Sequence, residues 1–106
     1  MAWFLLILAG LLEVVWAFGM KASAGFTRPG WSALTLVAMA ASVGLLALAM
    51  RSLPLGTAYA IWTGIGALGA FLVGIAVLGE AATPLRLGSA ALILAGLVGL
   101  KLASGE

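Results

Sequence analysis

The sequence predicts an all-α membrane protein of four transmembrane helices, and three observations lead there. Of 106 residues, 65% are hydrophobic and only 8% charged, where an ordinary soluble domain carries about 25% charge. The mean hydropathy is +1.30. Charged, Gly-bearing and Pro-bearing segments then divide the chain into four apolar spans of roughly the 20 residues that a helix needs to cross a bilayer. The expected spans are residues 2–20, 31–50, 57–78 and 85–102, within one transmembrane domain covering 1–106.

The first span ends at Lys21 and the second at Arg51, the third carries no charge, and the fourth holds Arg86 and Lys101 near its ends. The connections are "KASAGFTRPG", "RSLPLG" and "GEAATP". Links this short make consecutive helices antiparallel neighbours, and lipid tolerates no irregular backbone facing it. A four-helix bundle follows.

Composition also excludes functions. The net charge of +2 is small and no basic run accompanies the aromatics, so nucleic acid is not an expected partner. The chain has no Cys and no His. Thiol chemistry is impossible, the usual general base and metal ligand are missing, and three scattered acids make a poor metal site. No metal, no cofactor and no enzymatic activity are expected.

Two motif matches are set aside. Ala22-Ser23-Ala24 has the small-x-small form of a signal-peptide cleavage site. No Lys or Arg precedes the apolar run and Glu13 interrupts it, so cleavage is not expected. Gly64-Ile65-Gly66-Ala67-Leu68-Gly69 matches G-x-G-x-x-G, but inside an uncharged span, without the strand and distant acid that a dinucleotide site needs. Its glycines thin a helix instead, allowing close approach or a bend. Gly64 and Gly66 are the expected hinge of helix three.

Residues three, four and seven apart share a helix face. Glu13 shares its face with Leu6, Ala9, Gly10, Trp16, Ala17 and Met20. Thr35, Ala38, Ser42 and Ala49 form a small, weakly polar stripe on span two, broken by Leu45, and Tyr59, Trp62, Thr63 and Gly66 group on span three. Gly88, Ala91, Ala95 and Gly99 make a small-residue face on span four, with Leu92 among them, read as helix packing between associating chains. Bland readings stand beside these. Trp3 and Trp31 anchor helices at the membrane interface, Tyr59 sits near enough to a span end to do the same, and Ser42 could bond back to its own helix.

Glu13 resists a bland reading. A carboxylate at a helix centre costs about 2.5–3.5 kcal/mol on insertion scales. Lys21, Arg51, Arg86 and Lys101 all lie near helix ends, so no fixed cation matches its depth. A buried acid with no fixed counter-ion asks for a mobile one. A proton and a cationic substrate would compete for it, and that competition couples their movements if the site opens alternately to each side.

The residues also carry a resemblance. "GLLEVVWAFGMK", "GFTRP", "LPLGTAYAIWTGIGALGA" and "AGLVGLK" resemble the small multidrug resistance family of four-helix, proton-coupled exporters along essentially the whole chain. The family's quaternary-ammonium exporters usually have a glycine three residues after the membrane Glu. This chain has Trp16, and EVVWA together with Lys101 resembles the guanidinium exporter subtype. The resemblance implies an antiparallel, dual-topology homodimer in the cytoplasmic membrane. It implies that two Glu13 carboxylates bind guanidinium or protons, that Ser42 and Trp16 hydrogen-bond Glu13, and that Tyr59 and Trp62 line the pocket. Export of quaternary ammonium or polyaromatic cations, a small dual-topology ion channel and an accessory membrane subunit are the alternatives.

Charge placement fits insertion in both orientations. With four spans, Arg51 and Lys101 fall on one side and Lys21, Arg28 and Arg86 on the other. Lys and Arg bias sets orientation, and two against three is almost none.

Overall fold

The computed structural model describes residues 1–103. Four helices follow one another, α1 (Ala2–Ala22), α2 (Pro29–Ala49), α3 (Leu55–Ala76) and α4 (Pro84–Ala103), with no strand among the described residues. Each is long and apolar enough to cross a membrane. The chain is an all-α, four-span membrane protein.

The helix ends differ from the expected span limits by one or two residues, and local chemistry explains where they fall. α2 starts at Pro29 because proline's fixed φ and missing N–H suit the first helical position. Pro54 serves α3 as its N-cap, in extended conformation, so that helix begins two residues before Thr57. Thr83 caps α4, its hydroxyl accepting the Arg86 backbone N–H at 3.2 Å.

α1 runs on to Ala22, where Ser23 ends it. The fully buried Ser23 hydroxyl donates to the Met20 carbonyl at 2.9 Å and accepts the Phe26 N–H at 2.9 Å. The chain then turns through three left-handed residues, Ala24, Gly25 and Phe26, with φ of 52°, 75° and 68°. Only the middle one is glycine, so the other two hold a conformation that L side chains seldom adopt. The Ser23 bonds and the Thr27 hydroxyl, which bridges the Ser23 and Ala24 carbonyls, hold them there.

α1 is the central helix, packed against both α2 and α3, while the backbone of α4 approaches α3 alone. The buried core gathers towards the α2–α3 turn: Leu6 and Ala9 of α1, Leu46 and Ala49 of α2, Leu53, then Ala58, Ile61 and Trp62 of α3. α4 buries no residue at all. It reaches α1 through the Lys101 ammonium, 4.7 Å from the centre of the Trp3 ring. The α3–α4 turn is closed by Arg86, which donates to the Ala81 carbonyl at 2.6 Å, pairs with Glu80 at 3.4 Å and lies over Phe71.

Helices in lipid gain nothing from excluding water, so their association rests on close packing. Gly19 shows this best. A Cβ there would run into the Thr35 hydroxyl, which is fixed by its own bond to the Trp31 carbonyl at 2.7 Å. Gly19→Ala should therefore push α1 from α2 and destabilise the protein by about 1–3 kcal/mol. Gly44→Ala, with nothing within 4 Å of the added methyl, should be neutral or better. Unfolding in mixed micelles distinguishes the two, and equal midpoints would mean that the α1–α2 contact is looser than described.

Candidate functional site

α1 places Glu13 where its two neighbours meet. The Ala9 and Gly19 side of the helix turns to α2, and the Gly10 and Val14 side turns to α3. Glu13 lies between these directions. Its carboxylate rests on the backbone of Gly66 in α3, so closely that a Cβ at Gly66 would strike Oε1. Any side chain at position 66 would displace the acid.

Oε1 is buried and accepts no hydrogen bond, and Glu13 makes no ion pair among the described residues. Trp16, one turn along α1, has its indole Nε1 buried and unpartnered as well. Buried polar atoms are nearly always bonded. Here an orphan acceptor and an orphan donor occur three residues apart on one helix.

Ser42 and Trp62 are bonded to each other rather than to Glu13. The fully buried Ser42 hydroxyl donates to the Ala9 carbonyl at 2.7 Å and accepts the Trp62 indole N–H at 3.0 Å. Ala9 is four residues before Glu13, so its carbonyl also takes the Glu13 backbone N–H in a regular helix. Ser42 thus ties α2 to α1 one turn from the acid, and Trp62 brings in α3. Tyr59 stacks on Trp62 at 5.5 Å between ring centres, tilted by 48°, and remains 53% exposed.

Several expectations read differently in three dimensions. The resemblance put Ser42 and Trp16 in hydrogen bonds to Glu13; Ser42 bonds Ala9 and Trp62 instead, and the Trp16 N–H is unpaired. Gly64 and Gly66, the expected hinge, lie inside α3, which is continuous from Leu55 to Ala76. Both are contact points: Gly66 seats Glu13, and Gly64 admits Leu97 of α4. The role of Gly66 as a seat escaped sequence reasoning, although its small size was the available signal. The Ala9 carbonyl had no signal at all. Gly88, Ala91, Ala95 and Gly99 are all exposed, and an added methyl at Gly88 or Gly99 would meet nothing.

Comparison with known proteins bears on this arrangement. The family described as Small Multidrug Resistance protein matches residues 1–94. The chain is similar to the guanidinium exporter of Yersinia pseudotuberculosis serotype I (strain IP32953), at 64% identity over 98% of this chain and 100% of that protein. It is similar to the guanidinium exporters of Escherichia coli (strain K12), at 59%, and Citrobacter freundii, at 58%, each over 98% of this chain and 99% of the relative. With its four spanning helices it is an integral, multi-pass protein of the bacterial inner membrane. A match of this length, on a four-helix chain with a half-buried acid in the middle of its first helix, means that the protein belongs to the Small Multidrug Resistance family.

Proposed function

We propose that the protein is a transporter, not an enzyme, and exports guanidinium or related small guanidinyl cations in exchange for protons. Glu13 holds either the cation or the proton. The observation that carries this reading is the orphan pair, a buried Glu13 oxygen with no acceptor role filled and a buried Trp16 N–H with nothing to donate to. The names of the relatives, quoted above, agree with it.

The chemistry suits guanidinium. Its planar N–H array meets a carboxylate through two parallel hydrogen bonds. Aromatic faces such as Tyr59 and Trp62 attract a desolvated cation. Trp16 is close enough along the helix to orient the carboxylate once the acid is charged. The Ser42 bonds to Ala9 and Trp62 keep the surrounding three helices in register while the occupant changes.

In this reading two chains insert in opposite orientations as an antiparallel homodimer, bringing two Glu13 residues to one site near the midplane. Gly88, Ala91, Ala95 and Gly99 form the packing face of α4 between chains. Identical halves then allow inward and outward states to be exchanges of two protomer conformations, which is inverted-repeat logic made from a single sequence.

Glu13→Gln should abolish pH-driven guanidinium accumulation in proteoliposomes while the protein still assembles. The amide keeps the shape of the protonated acid but neither exchanges a proton nor pairs with a cation. In the parent protein, guanidinium binding should weaken as pH falls, because protons take the same oxygen. Residual accumulation by Glu13→Gln at the parent rate would end the proposal. Tetraalkylammonium ions run in parallel separate guanidinium export from broad cation export, and an uncoupled leak would indicate a channel.

A hydrogen bond to a charged group is worth about 1.5–3 kcal/mol. Trp16→Gly should therefore slow guanidinium exchange by roughly ten-fold or more, and the space it vacates should admit bulkier cations. An unchanged guanidinium rate removes Trp16 from the site.

Topology offers a separate check. Appending two or three Lys residues after Glu106 should hold the C-terminus inside and silence transport, and co-expression of a copy pinned the other way should restore it. Full activity of the singly pinned protein would rule out the antiparallel dimer.

A further inference from the structure

Beside α1 lies an apolar groove of about 300 Å³, walled by Val14, Val15 and Phe18 of α1, Trp31 and Leu34 of α2, and Val73 and Val77. It runs between α2 and α3 towards the end of the molecule where α1 finishes and α2 begins. Neither Glu13 nor Trp16 lines the groove, and Val15 lies about 200° around the helix from Glu13. It is framed at its outer end by the Phe18 and Trp31 rings, 5.9 Å apart and edge to face at 73°.

Each ring has a cation one turn further out. Lys21 follows Phe18 by three residues in the last turn of α1, and Arg28, the N-cap of α2, precedes Trp31 by three. Both side chains are exposed, and neither has an ion-pair or hydrogen-bond partner among the described residues. No side chain caps the N-terminus of α2, so its first free N–H groups also point outward at this level. Glu80, on this side of the membrane, borders with Lys21 a neighbouring hollow against α3, but its ion pair is with Arg86.

We propose that this groove binds one anionic phospholipid, its phosphate held by Lys21, Arg28 and the start of α2, and an acyl chain laid beneath the Phe18–Trp31 pair. Charge complementarity selects this occupant. A zwitterionic lipid fills the hydrocarbon part equally well but leaves two cations without a net negative partner. A second copy of the chain would have to bury both. Tryptophan at the headgroup level and cations just outside it are the arrangement that a bilayer interface favours. The site stands apart from transport and does not depend on what Glu13 carries.

The test uses the purified full-length chain reconstituted in phosphatidylcholine and titrated with phosphatidylglycerol carrying brominated acyl chains, which quench nearby indoles. Brominated phosphatidylcholine is the parallel arm. The Trp31 signal is the difference between the parent and Trp31→Phe. A basic residue near the surface is worth roughly five-fold in affinity for an anionic lipid. The Trp31 part should therefore be quenched at a several-fold lower fraction of brominated phosphatidylglycerol than of brominated phosphatidylcholine. Lys21→Gln with Arg28→Gln should erase that preference, Lys21→Arg with Arg28→Lys should keep it, and Arg51→Gln on the opposite side should leave it unchanged. Equal quenching by both lipids in the parent, or a preference that survives the double glutamine variant, overturns the proposal. Absence of Trp31 quenching by either lipid overturns it too, because another protein chain then covers the groove.

Discussion

A carboxylate inside an apolar helix needs space before it needs a partner, and the packing of this protein is arranged around that need. Glu13 sits on the central helix, between the side that faces α2 and the side that faces α3. Lacking a side chain, Gly66 gives the acid a floor of bare backbone. The Ser42–Ala9 and Ser42–Trp62 bonds then hold the three helices together without using the acid itself. Because the structural hydrogen bonds bypass Glu13, the carboxylate is left available, and an available buried acceptor is what a mobile cation or proton requires.

The same economy explains which parts of the molecule were legible in the sequence. Four apolar runs of membrane-crossing length, bounded by Pro29, Pro54 and Pro84, could hardly be anything but helices. Their limits moved by a residue or two because capping depends on local geometry, such as the Ser23 hydroxyl that ends α1. That Glu13 shares a face with Trp16, and Tyr59 with Trp62, was readable from spacing, and so was a buried Ser42 on the α2 stripe, though Tyr59 stays 53% exposed. Their hydrogen bonds were not. Ser42 bonds a backbone carbonyl, which every residue possesses and no sequence marks. A glycine announces a missing Cβ without saying what fills the gap, so Gly64 and Gly66 read equally as hinges or as seats.

Packing within one chain is uneven. Leu46, Ala49, Leu53, Ala58, Ile61 and Trp62 concentrate burial at the α2–α3 turn, while α4 contributes no buried residue. In water such exposure, with Leu72 at 61% and Leu92 at 76%, would mark an aggregating surface. In lipid it costs nothing in itself, since hydrocarbon meets hydrocarbon. What decides whether such a face stays with lipid or takes a protein neighbour is therefore its shape and charge, not its hydrophobicity.

That criterion separates two apolar features outside the Glu13 site. The α4 stripe of Gly88, Ala91, Ala95 and Gly99, with Leu92 among them, is uncharged, and small residues let another backbone come close enough for dispersion contacts to accumulate. The groove beside α1 is walled by bulky side chains, and Lys21 and Arg28 stand three residues beyond its Phe18 and Trp31. Docking another helix there would strand two charges, whereas a chain of methylenes under a phosphate satisfies them. One chain thus presents a stripe of small residues on α4 and a charged-rimmed apolar groove beside α1, and Glu13 belongs to neither.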